Sequence, residues 1–278
     1  MDKIWVLKVA LSRLSPERKT HLETHLPNSI LDALKNLPVP SEEKKTSDSF
    51  FSFIHWSWYL LRLERYTKEE QKLFLSILPQ QTRNRLNQEI GLPPLPPATL
   101  KTPLKKYLEK ELIHQMAPHI LPPSFLPLSS LNGLLQLSKK HLVHLIDLLS
   151  LFDLVIELKQ IVETKTLRKI YSFLSEEEKK FLKMIAPTNT PSHLPWEGWD
   201  GTKQSFRHLL HKRGLKKLKI ALTGMEGDLL WYLAHLLDVG RGSFLLKPAT
   251  TSVPAAIRSE VLAQIEETWN WKIQEGEM

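Results

Sequence analysis

The stretch that decides the fold class is residues 199–224, which read WDGTKQSFRHLLHKRGLKKLKIALTG. Within seventeen positions it carries seven basic residues and no acid, namely Lys203, Arg207, Lys212, Arg213, Lys216, Lys217 and Lys219. Leucines at positions 209, 210, 215 and 218 give the stretch an apolar side. Apolar residues at helical spacing beside charged ones predict an amphipathic helix. Gly214 interrupts this apolar side.

Outward from this stretch, leucine-rich runs alternate with prolines. The chain of 278 residues contains 19 prolines and only 10 glycines. Proline cannot continue a helix, and it disfavours helix in the residue before it. The composition therefore predicts an all-α protein whose helices end at prolines. The length suggests about two domains as a first expectation.

A weak internal repeat fits this helical interpretation. Residues 14–27, 66–79 and 174–187 each place a Ser or Thr near the start, an apolar position about eleven residues later and then a Pro. Thr67 with Glu70 and Ser175 with Glu178 have the spacing of capping boxes. Recurring short helix pairs predict armadillo-like modules that stack on one another. The alternative is an ordinary helical protein, since Ser or Thr starts and Pro stops are common in helices.

The proline-rich breaks divide the chain into three helical modules. We expect an N-terminal helical domain at 1–91, a Pro-rich linker at 92–103 and a middle armadillo-like domain at 104–187. A second linker is expected at 188–198 and a C-terminal helical domain at 199–278. The prolines at 93–97 favour a stiff, extended first linker.

The longest apolar stretch, residues 142–162, is expected in a protein core. Five ionisable residues interrupt it, namely His144, Asp147, Asp153, Glu157 and Lys159. A membrane span of about 20 residues rarely carries so many. We therefore expect a helix hairpin or one long core helix. The N-terminus lacks an apolar region of signal-peptide length, and the absence of cysteine fits a reducing cytosol.

From residue 199 onward, the order of features resembles the C-terminal domain of FliG, the flagellar rotor protein. The matching features are Asp200, the apolar segment 206–210, Ala221-Leu222-Thr223-Gly224, the helix 229–246, Val253-Pro254-Ala255, the helix 257–271 and Glu275-Gly276-Glu277. The match is collinear over about 80 residues. Two FliG features are missing. The torque-helix cluster of Arg and Asp is replaced by FLLKP at 244–248, and no Glu-His-Pro-Gln-Arg motif is present.

The resemblance implies armadillo-like modules with a FliG-like C-terminal domain that lacks torque-generating charges. By analogy with the sorting platform of type III secretion systems, it implies a non-enzymatic structural adaptor of SctK type. Its partners would be a SctD- or FliF-like inner-membrane ring protein and a SctQ- or FliM-like platform protein. The chain would then be part of a multimeric ring at the cytoplasmic face of the inner membrane, with peripheral membrane association through that ring.

Two sets of residues are candidates for partner binding. The basic set consists of Arg207, Lys212, Arg213, Lys216, Lys217 and Lys219, and the apolar set of Leu229, Trp231, Leu236 and Phe244. A net charge of +8 fits an anionic partner, and the basic set suits an acidic protein surface or anionic lipid. The alternatives are a solvated helix face and a nucleic-acid-binding helical repeat that contacts phosphates. The aromatic interleaving of single-strand binders is nearly absent here.

No motif predicts catalysis, a cofactor or a metal. His141, His144 and Asp147 share a helix face, but they lack a His-Glu-x-x-His pattern, so we interpret them as structural. Gly201-Thr202-Lys203 lacks the first glycine of a phosphate loop. Gly240-Arg241-Gly242-Ser243 predicts a turn that ends an apolar helix. The aromatic run in residues 50–59 is expected in a core, with a partner surface as the alternative. A helical enzyme with an unrecognised pocket is the remaining functional class.

Overall fold

The computed structural model describes residues 3–12, 14–37, 48–91, 100–185, 198–248 and 253–274. Over these residues the chain forms helices and no β-strand, so the predicted all-α fold class is confirmed. None of the helices in the described ranges combines the length and the apolar character needed to cross a bilayer.

The helices follow one another with short connections. The first half of the chain contains α1 (Lys3–Ser12), α2 (Pro16–Thr24), α3 (Asn28–Asn36), α4 (Asp48–Ser52), α5 (Trp56–Leu63), α6 (Lys68–Ile77), α7 (Gln80–Ile90) and α8 (Thr102–Met116). Two 3-10 turns come next, at Pro123–Phe125 and Asn132–Gln136. The second half contains α9 (Lys139–Leu149), α10 (Leu151–Gln160), α11 (Thr164–Phe173), α12 (Glu176–Met184), α13 (Lys203–Leu222), α14 (Gly227–Leu236), α15 (Val239–Leu246) and α16 (Ala255–Gln274).

The chain divides into two compact units. Unit 1 consists of Met1–Asn132 and Glu226–Gly242, and unit 2 consists of Gly133–Met225 and Ser243–Met278. Helix α14 therefore belongs to unit 1, although it lies within the C-terminal domain predicted at 199–278. Most of the linkers predicted at 92–103 and 188–198 fall outside the described residues, and so does Glu275-Gly276-Glu277. The predicted domain boundaries stay predictions.

Unit 1 has an aromatic and aliphatic core. Its buried members include Phe51, Ile54, Tyr59, Leu63, Phe74, Leu75, Ile77, Leu86, Leu112 and Met116. Helix α5 packs on α7, and α6 packs on α8. Several hydrogen bonds join the α14 region to the rest of unit 1, and two of them are donated by aromatic side chains. The Tyr232 hydroxyl donates to the Leu121 carbonyl at 2.9 Å, and Trp58 Nε1 donates to the Leu237 carbonyl at 2.9 Å. Of the aromatic run at 50–59, Phe51 and Tyr59 are buried in this core, and Phe50, Trp56 and Trp58 are half-buried against it.

Unit 2 is organised around α13, which packs against α9 and α16. Helix α13 is continuous from Lys203 to Leu222 and includes Gly214. A Cβ atom at Gly214 would lie 1.7 Å from the carbonyl oxygen of Ile146. The glycine is therefore required because it lets the backbones of α13 and α9 approach closely.

The apolar stretch at 142–162 forms two consecutive core helices, α9 and α10. They meet at Ser150, whose hydroxyl donates to the Asp147 carbonyl at 2.6 Å. The turn predicted at Gly240–Ser243 was wrong, because these residues lie inside α15. Asp238 explains the difference. Its carboxylate accepts from the Arg241 backbone N–H at 3.2 Å and so caps the start of α15, which is separated from α14 by two residues.

The helix starts predicted from capping-box spacing are confirmed at two places. Thr67 accepts from the Glu70 backbone N–H while Glu70 accepts from the Thr67 N–H, and Ser175 and Glu178 do the same. Ser15 precedes α2 but makes no capping hydrogen bond. The capping pairs explain where single helices begin. They do not bear on how helix pairs stack, so the armadillo-like arrangement stays a prediction.

Candidate functional site

The predicted basic residues belong to α13, whose start is fixed by a local hydrogen-bond network. The Thr202 hydroxyl accepts from the Ser205 backbone N–H at 3.2 Å. The Asp200 carboxylate in turn accepts from the Thr202 N–H at 2.7 Å and from its hydroxyl at 2.8 Å. These hydrogen bonds to Thr202 lower the pKa of Asp200, because they stabilise the ionised carboxylate.

On its inner face, α13 buries Lys217 completely. The Lys217 Nζ lies 2.7 Å from Asp153 and donates to Gln264 Oε1 at 2.8 Å. Burial lowers the pKa of Lys217, and the nearby Asp153 carboxylate opposes that effect. The lysine is therefore held by a counter-charge inside unit 2.

One turn earlier, Arg213 is also buried, and its Nη2 lies 2.5 Å from Glu157. The two cations are four residues apart on α13, and their acids are four residues apart on α10. Residues at this spacing share one helix face. The pairs Arg213–Glu157 and Lys217–Asp153 therefore form a ladder of two buried ion pairs with no net charge. The expectation that Arg213 and Lys217 lie on an accessible basic face was wrong.

Two more basic residues of α13 have partners within unit 2. The Arg207 guanidinium pairs with Glu178 and donates to the Phe173 carbonyl at 2.5 Å. Lys219 donates to the Phe244 carbonyl at 3.0 Å, and its Nζ lies 4.7 Å from the centre of the Phe244 ring. The structure thus brings together Lys219 and Phe244, which were predicted as separate partner-binding residues.

A shorter basic surface is left on the outer side of α13. Lys212 and Lys216 are exposed, as are His208, Lys203 and Gln204. Positions 204, 208, 212 and 216 recur every four residues and follow one side of the helix. We call these four residues, together with Lys203, the outer stripe of α13.

The predicted apolar residues of α14 lie in unit 1. Leu229 and Leu236 are buried, and Trp231 is half-buried. The Trp231 ring stacks on Phe50 with centroids 5.8 Å apart and on His235 with centroids 3.9 Å apart. Since Leu229 and Leu236 are core residues, the expectation that they lie on an accessible docking surface was wrong.

His235 lies between two tryptophans, a position that no sequence pattern indicates. Its ring centre is 4.1 Å from that of Trp58, and its Nδ1 lies 2.8 Å from the Trp231 carbonyl oxygen. A carbonyl oxygen can only accept, so Nδ1 carries the proton in the neutral ring. Burial lowers the pKa of His235 to about 4, and the charge on Arg62 acts in the same direction.

Of the residues on this helix face, His144 and Asp147 take part in separate hydrogen-bonded pairs. His144 Nε2 lies 2.7 Å from Glu177, whose carboxylate also accepts from Lys272. Asp147 instead pairs with His211 Nδ1 at 2.6 Å. Within the described ranges, no group of three metal-ligating side chains comes together.

The acids opposite α13 were missed as a site by sequence reasoning. In the sequence, Asp153 and Glu157 stand out only as interruptions of an apolar stretch. The signal that could have identified them was their i, i+4 spacing in an otherwise apolar helix, matched by Arg213 and Lys217 at the same spacing in α13. Charged residues at matched spacing within apolar surroundings favour buried pairing over a solvated face.

Comparisons with known proteins found no matching family model, no matching curated protein and no matching solved structure.

Proposed function

We propose that this chain is a non-enzymatic helical adaptor that docks an acidic protein surface through the outer stripe of α13. The observation that carries the proposal is that the inner face of this helix holds buried, paired cations while its outer face holds exposed ones. Arg213 and Lys217 are fixed inside unit 2 by Glu157 and Asp153, while Lys212 and Lys216 are exposed to solvent. A helix whose inner face is immobilised presents its outer charges on an ordered backbone, so that binding has to order only their side chains.

The finer form of the proposal follows from the FliG resemblance. We place the chain in a type III secretion or related cytoplasmic ring, between the inner-membrane ring and the sorting platform, with armadillo-like modules as its scaffold. The stretch at 244–248 has no acid, which fits an adaptor that does not interact with a stator. A multimeric ring at the inner membrane is the corresponding location.

An acidic protein partner is favoured over nucleic acid because several α13 cations are already used internally. Arg207, Arg213 and Lys217 each pair with a carboxylate of unit 2. The electrostatic affinity for nucleic acid grows with the number of phosphates that free cations neutralise. The outer stripe offers fewer such cations than the sequence suggested.

The test is crosslinking and affinity capture of the full chain from bacteria that express it naturally, followed by mass spectrometry. We compare wild type with Lys212→Glu/Lys216→Glu. The matched control is Lys165→Glu/Lys169→Glu, a pair of exposed lysines at the same spacing on α11 of unit 2. The proposal predicts that wild type and control capture ring or platform proteins and that the stripe variant loses them.

Two results would overturn the proposal. One is equal capture by all three proteins, because the stripe would then not be the docking surface. The other is nuclease-sensitive recovery of RNA or DNA in place of secretion proteins, with binding that weakens steeply as salt is raised. Charge substitutions at Leu229 or Leu236 are unsuitable for this test, since both side chains are in the core of unit 1.

A further inference from the structure

Unit 1 contains a cleft of about 860 Å³ where α4, α6, α7 and α8 come together. Its volume lies in the range of about 300–1,000 Å³ that is typical of small-molecule sites. One part of its lining is apolar, with Phe51, Ile77 and Leu78, and another part is polar, with the first turn of α7. The cleft lies in a different unit from the outer stripe of α13.

The first turn of α7 lies along this cleft. Helix α7 begins directly after Pro79, which has no side chain able to cap it, and no capping hydrogen bond is present. Gln80, Gln81 and Thr82 line the cleft. The first N–H groups of a helix have no partner within the helix, and the helix dipole makes this end favourable for negative charge.

Arg83 is the independent observation that points to a ligand. It lines the cleft, and it is more than nine-tenths buried. Its Nη2 donates to Gln80 Oε1 at 2.6 Å, while its Nε and Nη1 are buried and have no hydrogen-bond partner among the described residues. Within the described ranges, the acceptor of this guanidinium is thus a neutral amide. A buried cation that lacks a counter-charge is costly, and buried charges in proteins are normally paired.

The remaining charge in the cleft is also positive. Lys105, at the start of α8, lines the cleft and is exposed; its Nζ lies 3.6 Å from Glu109. Among the described residues that line the cleft, none is acidic. The cleft is therefore lined by two cations, by the start of helix α7 and by an apolar wall.

We propose that this cleft binds a small organic oxyanion, a phosphate or carboxylate attached to an apolar or neutral body. The anionic group accepts from the first-turn N–H groups of α7 and pairs with the Arg83 guanidinium. Its charge balances the buried guanidinium, and Lys105 closes the site from the solvent side. The body of the ligand packs against Phe51, Ile77 and Leu78.

The test uses the purified full chain and measures thermal unfolding together with hydrogen exchange. The probes are inorganic phosphate, pyrophosphate and citrate, each compared with sodium chloride at the same ionic strength. We expect a saturable rise in Tm, with slower exchange in the first turn of α7. If only phosphate and pyrophosphate raise the Tm, the cleft is a phosphate site. If only citrate raises it, the cleft is a carboxylate site. If all three probes raise it, the cleft is a general oxyanion site.

Arg83→Met and Lys105→Met each should weaken the response at least tenfold in apparent affinity, and Arg85→Met, an exposed position on the same helix, should not. If Arg83→Met fails to fold, Lys105→Met carries the test, because that side chain is exposed. The proposal is overturned if no probe acts beyond sodium chloride, or if Lys105→Met responds like wild type. The outcome does not depend on whether the adaptor proposal holds, since no partner protein is present.

Discussion

His235 of unit 1 and Lys217 of unit 2 are both buried bases, but they differ in charge state and in whether an acid lies beside them. In unit 1, His235 lies between Trp58 and Trp231, and its pKa falls to about 4. In unit 2, Lys217 is completely buried but has Asp153 at 2.7 Å. Imidazole can become neutral near physiological pH, whereas a lysine resists deprotonation and therefore needs a counter-charge. The type of base thus determines whether a core needs an acid beside it.

The largest effect is expected from removing one member of the buried pair in unit 2. Lys217→Met leaves Asp153 buried without its cation and should lower the free energy of unfolding by about 3–5 kcal/mol. Urea denaturation, with hydrogen exchange in α10 and α13, measures the loss. The double variant Asp153→Leu/Lys217→Met is the control and should recover most of it, because an apolar pair avoids the desolvation cost. A single variant as stable as wild type would remove the contrast between the two units.

In unit 1 the corresponding test is the pH dependence of stability. The pKa of His235 is about 4 in the folded chain against an ordinary value of 6.5, so folding favours the neutral ring. Its stabilisation is fully present above pH 6.5 and is lost as pH falls towards 4, by about 3 kcal/mol in total. His235→Phe keeps an aromatic ring and should flatten this part of the profile. Hydrogen exchange in α14 between pH 7 and 4 is the measurement, and parallel profiles for both proteins would contradict the assignment.

Each unit also contains one close helix contact that requires glycine. A Cβ atom at Gly214 of unit 2 would meet the Ile146 carbonyl oxygen at 1.7 Å, and one at Gly242 of unit 1 would meet the Ala234 carbonyl oxygen at 2.3 Å. Substitution of either glycine by Ala should lower the free energy of unfolding by about 1–3 kcal/mol, and the loss should be larger at Gly214. Gly227→Ala is the control, since it has open space around it and should be neutral or stabilising by up to about 1 kcal/mol. Equal melting temperatures for all three variants would refute the packing argument.

The smallest effects are expected at the helix caps, where the two units behave alike. Thr67→Ala in unit 1 and Ser175→Ala in unit 2 each remove a capping-box hydroxyl. Each should lower the free energy of unfolding by about 1 kcal/mol. Ser15→Ala serves as the control because Ser15 makes no capping hydrogen bond, and it should stay within about 0.5 kcal/mol of wild type. Chemical denaturation of the three variants checks this. A loss at Ser15 equal to that at Thr67 would show that the effect is not due to capping.

Local features of the fold were predictable from the amino-acid sequence. The all-α class followed from proline stops and leucine spacing, and the starts of α6 and α12 followed from Thr67, Glu70, Ser175 and Glu178. These features depend on hydrogen bonds between residues three or four positions apart, so neighbouring sequence contains the necessary information. The same local rules failed at Gly240–Ser243, where the Asp238 carboxylate caps α15 and the helix continues through both glycines.

The candidate site was only partly predictable. The sequence identified α13 as basic and amphipathic, and Lys212 and Lys216 are exposed as a docking surface requires. The sequence could not tell them apart from Arg213 and Lys217, which lie one position further along. Neighbouring residues of a helix point in directions about 100° apart, so one can face outward and the next inward. The packing of α13 against α9 and α16 decides which side is buried.

By itself, then, the sequence determined the helical class, the capped helix starts and the excess of positive charge, because these follow from residue type and short spacing. Only the tertiary structure decided that α14 packs in unit 1, that His235 sits between two tryptophans, that Asp153 and Glu157 neutralise Lys217 and Arg213, and that Arg83 lies buried beside a cleft. Each of these depends on residues far apart in the chain. Their pairing is set by how whole helices pack, which no local pattern specifies.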